Sequence, residues 1–315
     1  MADFGQSIQD GDYGLIQSFV VVRNGYLVFE RYANGGYEDA PASGYSVTKS
    51  VTSLVIGAAQ DQGLLGSLDV SVMGYFPEYP VVEYPAPEKG AITLEHVLQM
   101  RTGLGWDEWT IPYTEPENPT TLLAQSSDWI KHVLDLPMVS SPGSEFQYNS
   151  GATMLLSGVL RNEAGRPADE YAEEVLLGPL GAEGWSWQMG PDDVANTGWG
   201  LSLSARDMAR IGYLVVVDGE WNGRRIVPVE WIEASVRPHT EFPNGEGYGY
   251  QWWIGPPVEI GGESVRPISA RGWGDQYIVV VPSAGLVLVA TGRNLQGSRL
   301  SAADLAALAA DAVTP

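Results

Sequence analysis

Apolar residues along this chain switch between two spacings, and the switches outline its elements. Ser18 to Arg23 and Tyr26 to Tyr32 are β-rich runs joined by Asn24-Gly25, which predicts a tight hairpin. Ser50 to Gln62 (SVTSLVIGAAQDQ) places apolar residues at helical spacing and is closed by Gly63, so a helix is predicted there. Beyond Leu68-Asp69 the chain is broken by Pro77, Pro80, Pro85 and Pro87. Thr93 to Met100 then predicts a short helix capped by Thr93, with Glu95 nearby. Further helices are predicted near Thr121 to Leu134 and Ala152 to Ala164, among loops rich in Pro, Gly and Trp. Ser204 to Asp218 (SARDMARIGYLVVVD) reads as an amphipathic helix. Strand-like runs return at Tyr248 to Ile254, Tyr277 to Pro282 and Leu286 to Thr291. Ser301 to Val313 closes the chain as an alanine-rich helix with a serine cap.

Strands and a helix therefore open the chain, strands and a helix close it, and helices and loops fill the middle. The economical architecture is an α/β fold of the α+β type. One sheet is built from residues 1–70 and 200–315 and flanked by helices, and a mainly helical insertion, 71–199, roofs a cleft between the two parts. A length of 315 residues suits one large domain or two intimate ones.

Charge and composition narrow the partners. A net charge of −22 argues against nucleic acid or an anionic membrane, since both need basic surfaces. Of the 17 cationic residues only three are lysines, Lys49, Lys89 and Lys131. There is no cysteine, which excludes disulfides, thiolate catalysis and Cys-based metal sites. Met1 to Gln6 has neither a basic nor an apolar leader region, and the longest apolar runs are too short to span a bilayer. The expectation is a soluble protein, either cytoplasmic or exported with a leader removed.

Candidate chemistry begins at Ser46-Val47-Thr48-Lys49. Residues three apart share a helix face, so the hydroxyl and the amine can meet, and a partly buried lysine can lose its charge and act as a base. Taken alone, the same four residues read as a serine helix cap followed by a solvated lysine. Tyr148-Asn149-Ser150 places two hydroxyls in a loop leading into a helix. A lysine ammonium nearby would favour the phenolate of Tyr148 as proton shuttle, whereas the bland alternative is a turn with a helix cap. Ala270-Arg271-Gly272-Trp273-Gly274-Asp275-Gln276 leads into a strand. An edge strand there could lend a main-chain N–H to an oxyanion, or the segment is simply a Gly-rich turn. His96, His132 and His239 show no metal-ligand spacing, and no serine stands in a G-x-S-x-G elbow, so neither a metal nor a histidine mechanism is expected. Trp252 and Trp253 read as core. Trp106, Trp109, Trp185 and Trp187 fall in the insertion, where any that face the cleft would favour an apolar or flat substrate group.

The order S-x-x-K, then Y-x-[NS], then a Gly-containing strand resembles the serine β-lactamase and penicillin-binding-protein superfamily. The likeness covers nearly the whole chain. Val21 to Glu30 resembles the opening hairpin of class C-like members, Thr93 to Leu104 their T-x-x-x-L-L-x-x-x-[ST]-G-L segment, and Gly200 to Arg210 their G-L-x-[ST]-T-A-R-D-x-A-R helix. The resemblance implies an antiparallel β-lactamase/transpeptidase-like sheet flanked by helices, and a cofactor-free acyl transfer. Ser46 is then the nucleophile, Lys49 the general base, Tyr148 the proton shuttle and Ser150 its relay, with the N–H groups of Ser46 and Trp273 as oxyanion hole. Trp106, Arg271, Gly272 and Gly274 are the expected substrate contacts. Ser150 replaces the Asn of class C β-lactamases, and Lys-Thr-Gly is absent from the third motif. Both departures look more like the 6-aminohexanoate-dimer hydrolase and family VIII esterase branch, which implies a small-molecule ester or linear amide as substrate. A β-lactamase or D-amino-acid peptidase, supported by Arg271, and a non-catalytic binding domain remain the alternatives.

Overall fold

The computed structural model describes residues 2–80, 82–260 and 262–313. The hairpin forms as expected: β1 (Ile16–Arg23) and β2 (Tyr26–Tyr32) pair antiparallel around Asn24 and Gly25, both with positive φ (49° and 81°). That combination is the type I′ geometry whose twist matches the strands it joins. Two short pieces, β3 (Ala42–Ser43) and β4 (Ser186–Trp187), flank β5 (Leu201–Leu203) in a small sheet of their own. The hairpin β6 (Glu220–Trp221) and β7 (Arg224–Arg225) follows. Then come β8 (Thr240–Glu241), β9 (Gly247–Tyr248), β10 (Trp253–Ile254), the hairpin β11 (Val258–Ile260) and β12 (Glu263–Val265), and finally β13 (Ile268–Gly272), β14 (Gln276–Val281) and β15 (Leu286–Gly292). The main sheet has eight strands in the order β2-β1-β15-β14-β13-β10-β9-β8, all antiparallel, so both ends of the chain build it.

Eleven α-helices are assigned among the described residues: α1 (Ala2–Asp10), α2 (Val47–Asp61), α3 (Leu94–Leu98), α4 (Pro119–Gln125), α5 (Trp129–Leu134), α6 (Ser150–Ala164), α7 (Ala168–Ala172), α8 (Gly178–Leu180), α9 (Ala205–Val216), α10 (Val229–Val236) and α11 (Ala302–Val313). Alternation along the strands divides the core into two layers. Val20, Ile278, Val280, Val287 and Val289 face the side covered by α2 and α9. Phe19, Val21, Val279, Val281 and Leu288 point the other way, towards Phe4 and Ile8 of α1 and Leu305 of α11. Among the described residues no helix is long and apolar enough to cross a membrane.

Three elements depart from expectation. The run Tyr248 to Ile254 is two strands rather than one, because Gln251 takes a left-handed conformation (φ 65°) and turns its buried amide to donate to the carbonyls of Val97 and Leu98. The helix expected near Thr121 to Leu134 is α4 and α5, each with its own cap, Asn118 and Asp128. The strand β13 is an edge only in part. Ile268 and Ser269 pair with β10, while Ala270 to Gly272 are bonded on the β14 side alone.

Candidate active site

The small sheet sets the entry to α2. Ala42 and Ser43 pair with β5, Gly44 N–H donates to the Leu201 carbonyl (2.8 Å), and Tyr45 turns through a positive φ of 43°. Ser46 then takes the N-cap position, but its side chain makes no capping bond. Its hydroxyl is instead 2.9 Å from the Lys49 amine. The bland reading of this stretch fails at that point, since a capping serine would spend its oxygen on a backbone N–H.

Lys49 does not reach solvent. Every residue of α2 from Val47 to Ala59 is buried, and Lys49 is 1% exposed. Its amine donates to the Gly198 carbonyl at 2.7 Å and lies 4.9 Å from the centre of the Tyr148 ring. Burial lowers its pKa to about 8, against a smaller upward pull from the charge of Glu108. Close to neutrality the amine can therefore both take and return a proton.

Tyr148 stands just before α6 in a loop tied to Met100 through the Gln147 N–H (2.8 Å). Its ring is stacked between Trp109 (5.2 Å, 19°) and Trp253 (6.0 Å, 24°), with Tyr248 edge-on. Burial pushes its phenol well above the ordinary value, as does Glu108, while a hydrogen bond with Ser46 and the charge of Arg271 oppose. The phenolate expected beside a lysine is thus disfavoured by desolvation. Burial favours the neutral phenol.

Glu108 was not anticipated. It is 2% exposed, and its two oxygens accept four hydrogen bonds. Oε1 accepts from the Tyr113 hydroxyl and the Ser150 hydroxyl, both at 2.8 Å; Oε2 accepts from Ser150 N–H (2.8 Å) and Trp106 Nε1 (2.5 Å). Ser150, the first residue of α6, is therefore held through both its backbone and its side chain. The only trace of this in the sequence is an acid set between Trp106 and Trp109, a surrounding more typical of core than of surface.

A cleft of about 540 Å³ opens over these groups. Ser46, Glu108, Tyr148 and Ser150 line its floor, and Tyr45, Trp109, Tyr113, Trp199, Trp253 and Trp273 form aromatic walls. Thr120, Thr121, Ala124 and Gln125 of α4 close one side. Of the expected substrate contacts, Arg271 and Gly272 lie on the cleft. Arg271 is already paired with Glu246 (2.7 Å), donates to Ser269 Oγ (2.9 Å) and rests over Trp253. Gly272 is pressed against the Ser46 loop: a Cβ there would collide with the Gly44 carbonyl oxygen, so this close approach of β13 requires glycine. Trp273 follows at the rim, its ring edge-on to Tyr45 at 5.4 Å.

Trp106 and Gly274 do not face the cleft. The Trp106 ring is buried, with its N–H committed to Glu108, and Gly274 is a turn residue (φ 79°) packed near Leu295. Of Trp106, Trp109, Trp185 and Trp187 only Trp109 lines the cleft, joined there by Trp199 from the end of the insertion, and of the pair expected in the core only Trp252 is there. The three histidines lie elsewhere: His96 completes the capping box with Thr93, His132 belongs to α5, and His239 stacks on Tyr250.

An antiparallel sheet that presses a Gly-containing strand against the start of a buried Ser-x-x-Lys helix is the arrangement of the β-lactamase and penicillin-binding folds. The family model described as Beta-lactamase matches residues 17–311, and the chain belongs to this family. A 6-aminohexanoate-dimer hydrolase of Paenarthrobacter ureafaciens is 25% identical over 266 residues, covering 75% of this chain and 63% of that protein. The chain thus spans less than two thirds of that relative's length. A Bacillus anthracis structure named as a candidate 6-aminohexanoate-dimer hydrolase superposes with a TM-score of 0.82 at 26% identity, over 98% of this chain and 81% of the other. A family VIII carboxylesterase shares the fold at 16% identity, with a TM-score of 0.76 over 99% and 96% of the two chains.

Proposed function

We propose that this chain is a serine hydrolase that cleaves uncharged carboxylic esters or linear amides through an acyl-enzyme on Ser46. The observation that carries the reading is the buried Lys49 amine, 2.9 Å from a helix-start hydroxyl that caps nothing. Lys49 in its neutral form takes the Ser46 proton as Oγ bonds to the substrate carbonyl carbon. The carbonyl oxygen becomes an oxyanion between the N–H groups of Ser46 and Trp273. Collapse breaks the bond to the alcohol or amine, which leaves with the Tyr148 phenol proton, and the Lys49 ammonium restores that proton. Water then attacks the acyl carbon and gives its proton to Lys49, and Ser46 Oγ leaves and takes that proton back.

The preference for uncharged substrates rests on Arg271. A β-lactam or a D-peptide carries a carboxylate that needs a cation, and Arg271 is the guanidinium on the cleft, with its charge answered by Glu246. The aromatic walls suit a flat or apolar acyl or leaving group. A panel of a p-nitrophenyl ester, a chromogenic cephalosporin, a D-Ala dipeptide and 6-aminohexanoate dimer separates the readings. Ester turnover should exceed turnover of the cephalosporin, the dipeptide and the 6-aminohexanoate dimer, each of which carries a carboxylate, and a fluorophosphonate should label Ser46. Faster cephalosporin than ester hydrolysis would favour the β-lactamase reading, and an unlabelled Ser46 a binding domain.

A further inference from the structure

Glu108 sits at the junction of three elements that the hydrolase reading uses without needing a carboxylate. It is held from its own segment by Trp106 and Tyr113, and from α6 by Ser150. Its charge also acts on Lys49 of α2, on Tyr148 before α6 and on Tyr248 of β9, while Arg271 of β13 acts on Tyr148 from the other side. Each Glu108 oxygen already accepts two hydrogen bonds, which fills the roughly four sites that a carboxylate offers. A group so saturated accepts no further hydrogen bond from a substrate. What it does is decide how its neighbours point.

Ser150 feels this most directly. A hydroxyl owns one proton, and that of Ser150 is directed at Glu108 Oε1, so the lone pairs are what it turns to the cleft. There it can accept from an ammonium, a phenol or a leaving amine, and it has no proton to give. We propose that Glu108 is a positioning residue for hydrolysis, locking the Ser150 hydroxyl as an acceptor towards the cleft and supplying the negative charge that accompanies Lys49 through its proton cycle. This rests on the acyl-enzyme reading above, and it makes Ser150 a hydrogen-bond acceptor in place of the expected proton relay.

The charge has a definite sign of effect. Glu108 opposes the desolvation that depresses the Lys49 pKa to about 8. Lys49 is a base only when neutral, so the rate should rise as pH climbs through that value, and removal of the Glu108 charge should move the rise to lower pH. Glu108→Gln is close to isosteric. Its amide N–H groups face the Tyr113 and Ser150 hydroxyls if both rotate to accept, which turns the Ser150 proton into the cleft.

The test is the pH profile of kcat/KM for a p-nitrophenyl ester, with fluorophosphonate labelling of Ser46 run in parallel. For Glu108→Gln the rise should shift down by about one pH unit, the order expected for one charge removed from a partly desolvated neighbour. At its optimum kcat should fall on the order of 10- to 100-fold, as when groups that orient catalytic ligands are changed. A profile that superposes on that of the parent protein overturns the proposal. Should Glu108→Gln fail to fold, judged by near-ultraviolet dichroism, Glu108→Asp takes its place. It keeps the charge and shortens the reach, so kcat should fall while the rise stays in place, and an unchanged kcat overturns the proposal. An unlabelled Ser46 in the parent protein rejects the acyl-enzyme reading itself, whereas labelling with an unmoved profile rejects only the role of Glu108.

Discussion

Lys49 and Lys89 are both buried, at 1% and 3% exposure, and each donates to a backbone carbonyl, Gly198 in the first region and Leu134 in the second. Burial lowers the pKa of both. The surroundings then diverge. Lys89 lies in the 3₁₀ turn Pro87–Ala91 and donates to the last residue of α5, a place where a cation satisfies orphan carbonyls and suits the helix dipole. Lys49 spends one bond on a carbonyl and the other on a hydroxyl at the floor of an open cleft. Desolvation alone therefore does not mark a base. A desolvated amine becomes one when its second partner is a group whose proton is worth moving, and when substrate can reach that group.

The contrast breaks most clearly in a paired substitution. Lys49→Met should cost on the order of 10²–10⁴ in ester hydrolysis, the usual size of a lost proton-transfer group, besides a stability loss from leaving the Gly198 carbonyl without its buried partner. Lys89→Met should show the stability loss alone. Activity stays within about twofold while stability falls by about 1–3 kcal/mol in urea melts, because the Leu134 carbonyl loses its buried partner. Comparable rate losses in the two variants would mean that the regions do not differ as described.

A second change sharpens the comparison by leaving both lysines alone. Gly272→Ala should force β13 away from the Gly44 carbonyl and carry with it the Trp273 N–H proposed for the oxyanion. The loss should be on the order of 10²-fold in kcat with little change in KM, as for a lost oxyanion donor. A change confined to KM would place the oxyanion elsewhere. The smallest effect belongs to the wall over Tyr148. Trp109 is 59% exposed yet stacked on that ring, and Trp109→Ala should raise KM for aromatic esters by about two- to tenfold and leave acetate esters nearly untouched. Equal changes for both ester classes would assign Trp109 to support of Tyr148 rather than to substrate contact.

How much of this was legible in the sequence depends on how local each signal is. The hairpin at Asn24-Gly25, the Thr93 and Ser301 caps and the paired strands near the end carry their causes within a few residues, and all form. The Thr93 capping box closes with His96, three residues on, rather than with neighbouring Glu95. The break at Gln251 is tertiary, because its amide is drawn to α3. The same division runs through the site. Ser46 and Lys49 sit one helical turn apart, and the Tyr148 motif follows in a recognisable order. Glu108 is one acid among 39, 42 residues from the serine it holds, and no spacing rule joins them. Trp106 and Trp109 lie three apart in one loop and face opposite ways, one into the core and one into the cleft, because only the folded loop decides which indole meets Glu108.

The ion pair between Arg271 and Glu246 has a consequence for how such a protein can change over time. Under the proposed function, charge preference at the cleft is held by a carboxylate on the β8–β9 turn that stands outside the proposed proton relay. Drift at that one position can release or restrain the guanidinium without touching Ser46, Lys49 or Tyr148. On that reading the choice of substrate and the chemistry performed on it are separately heritable.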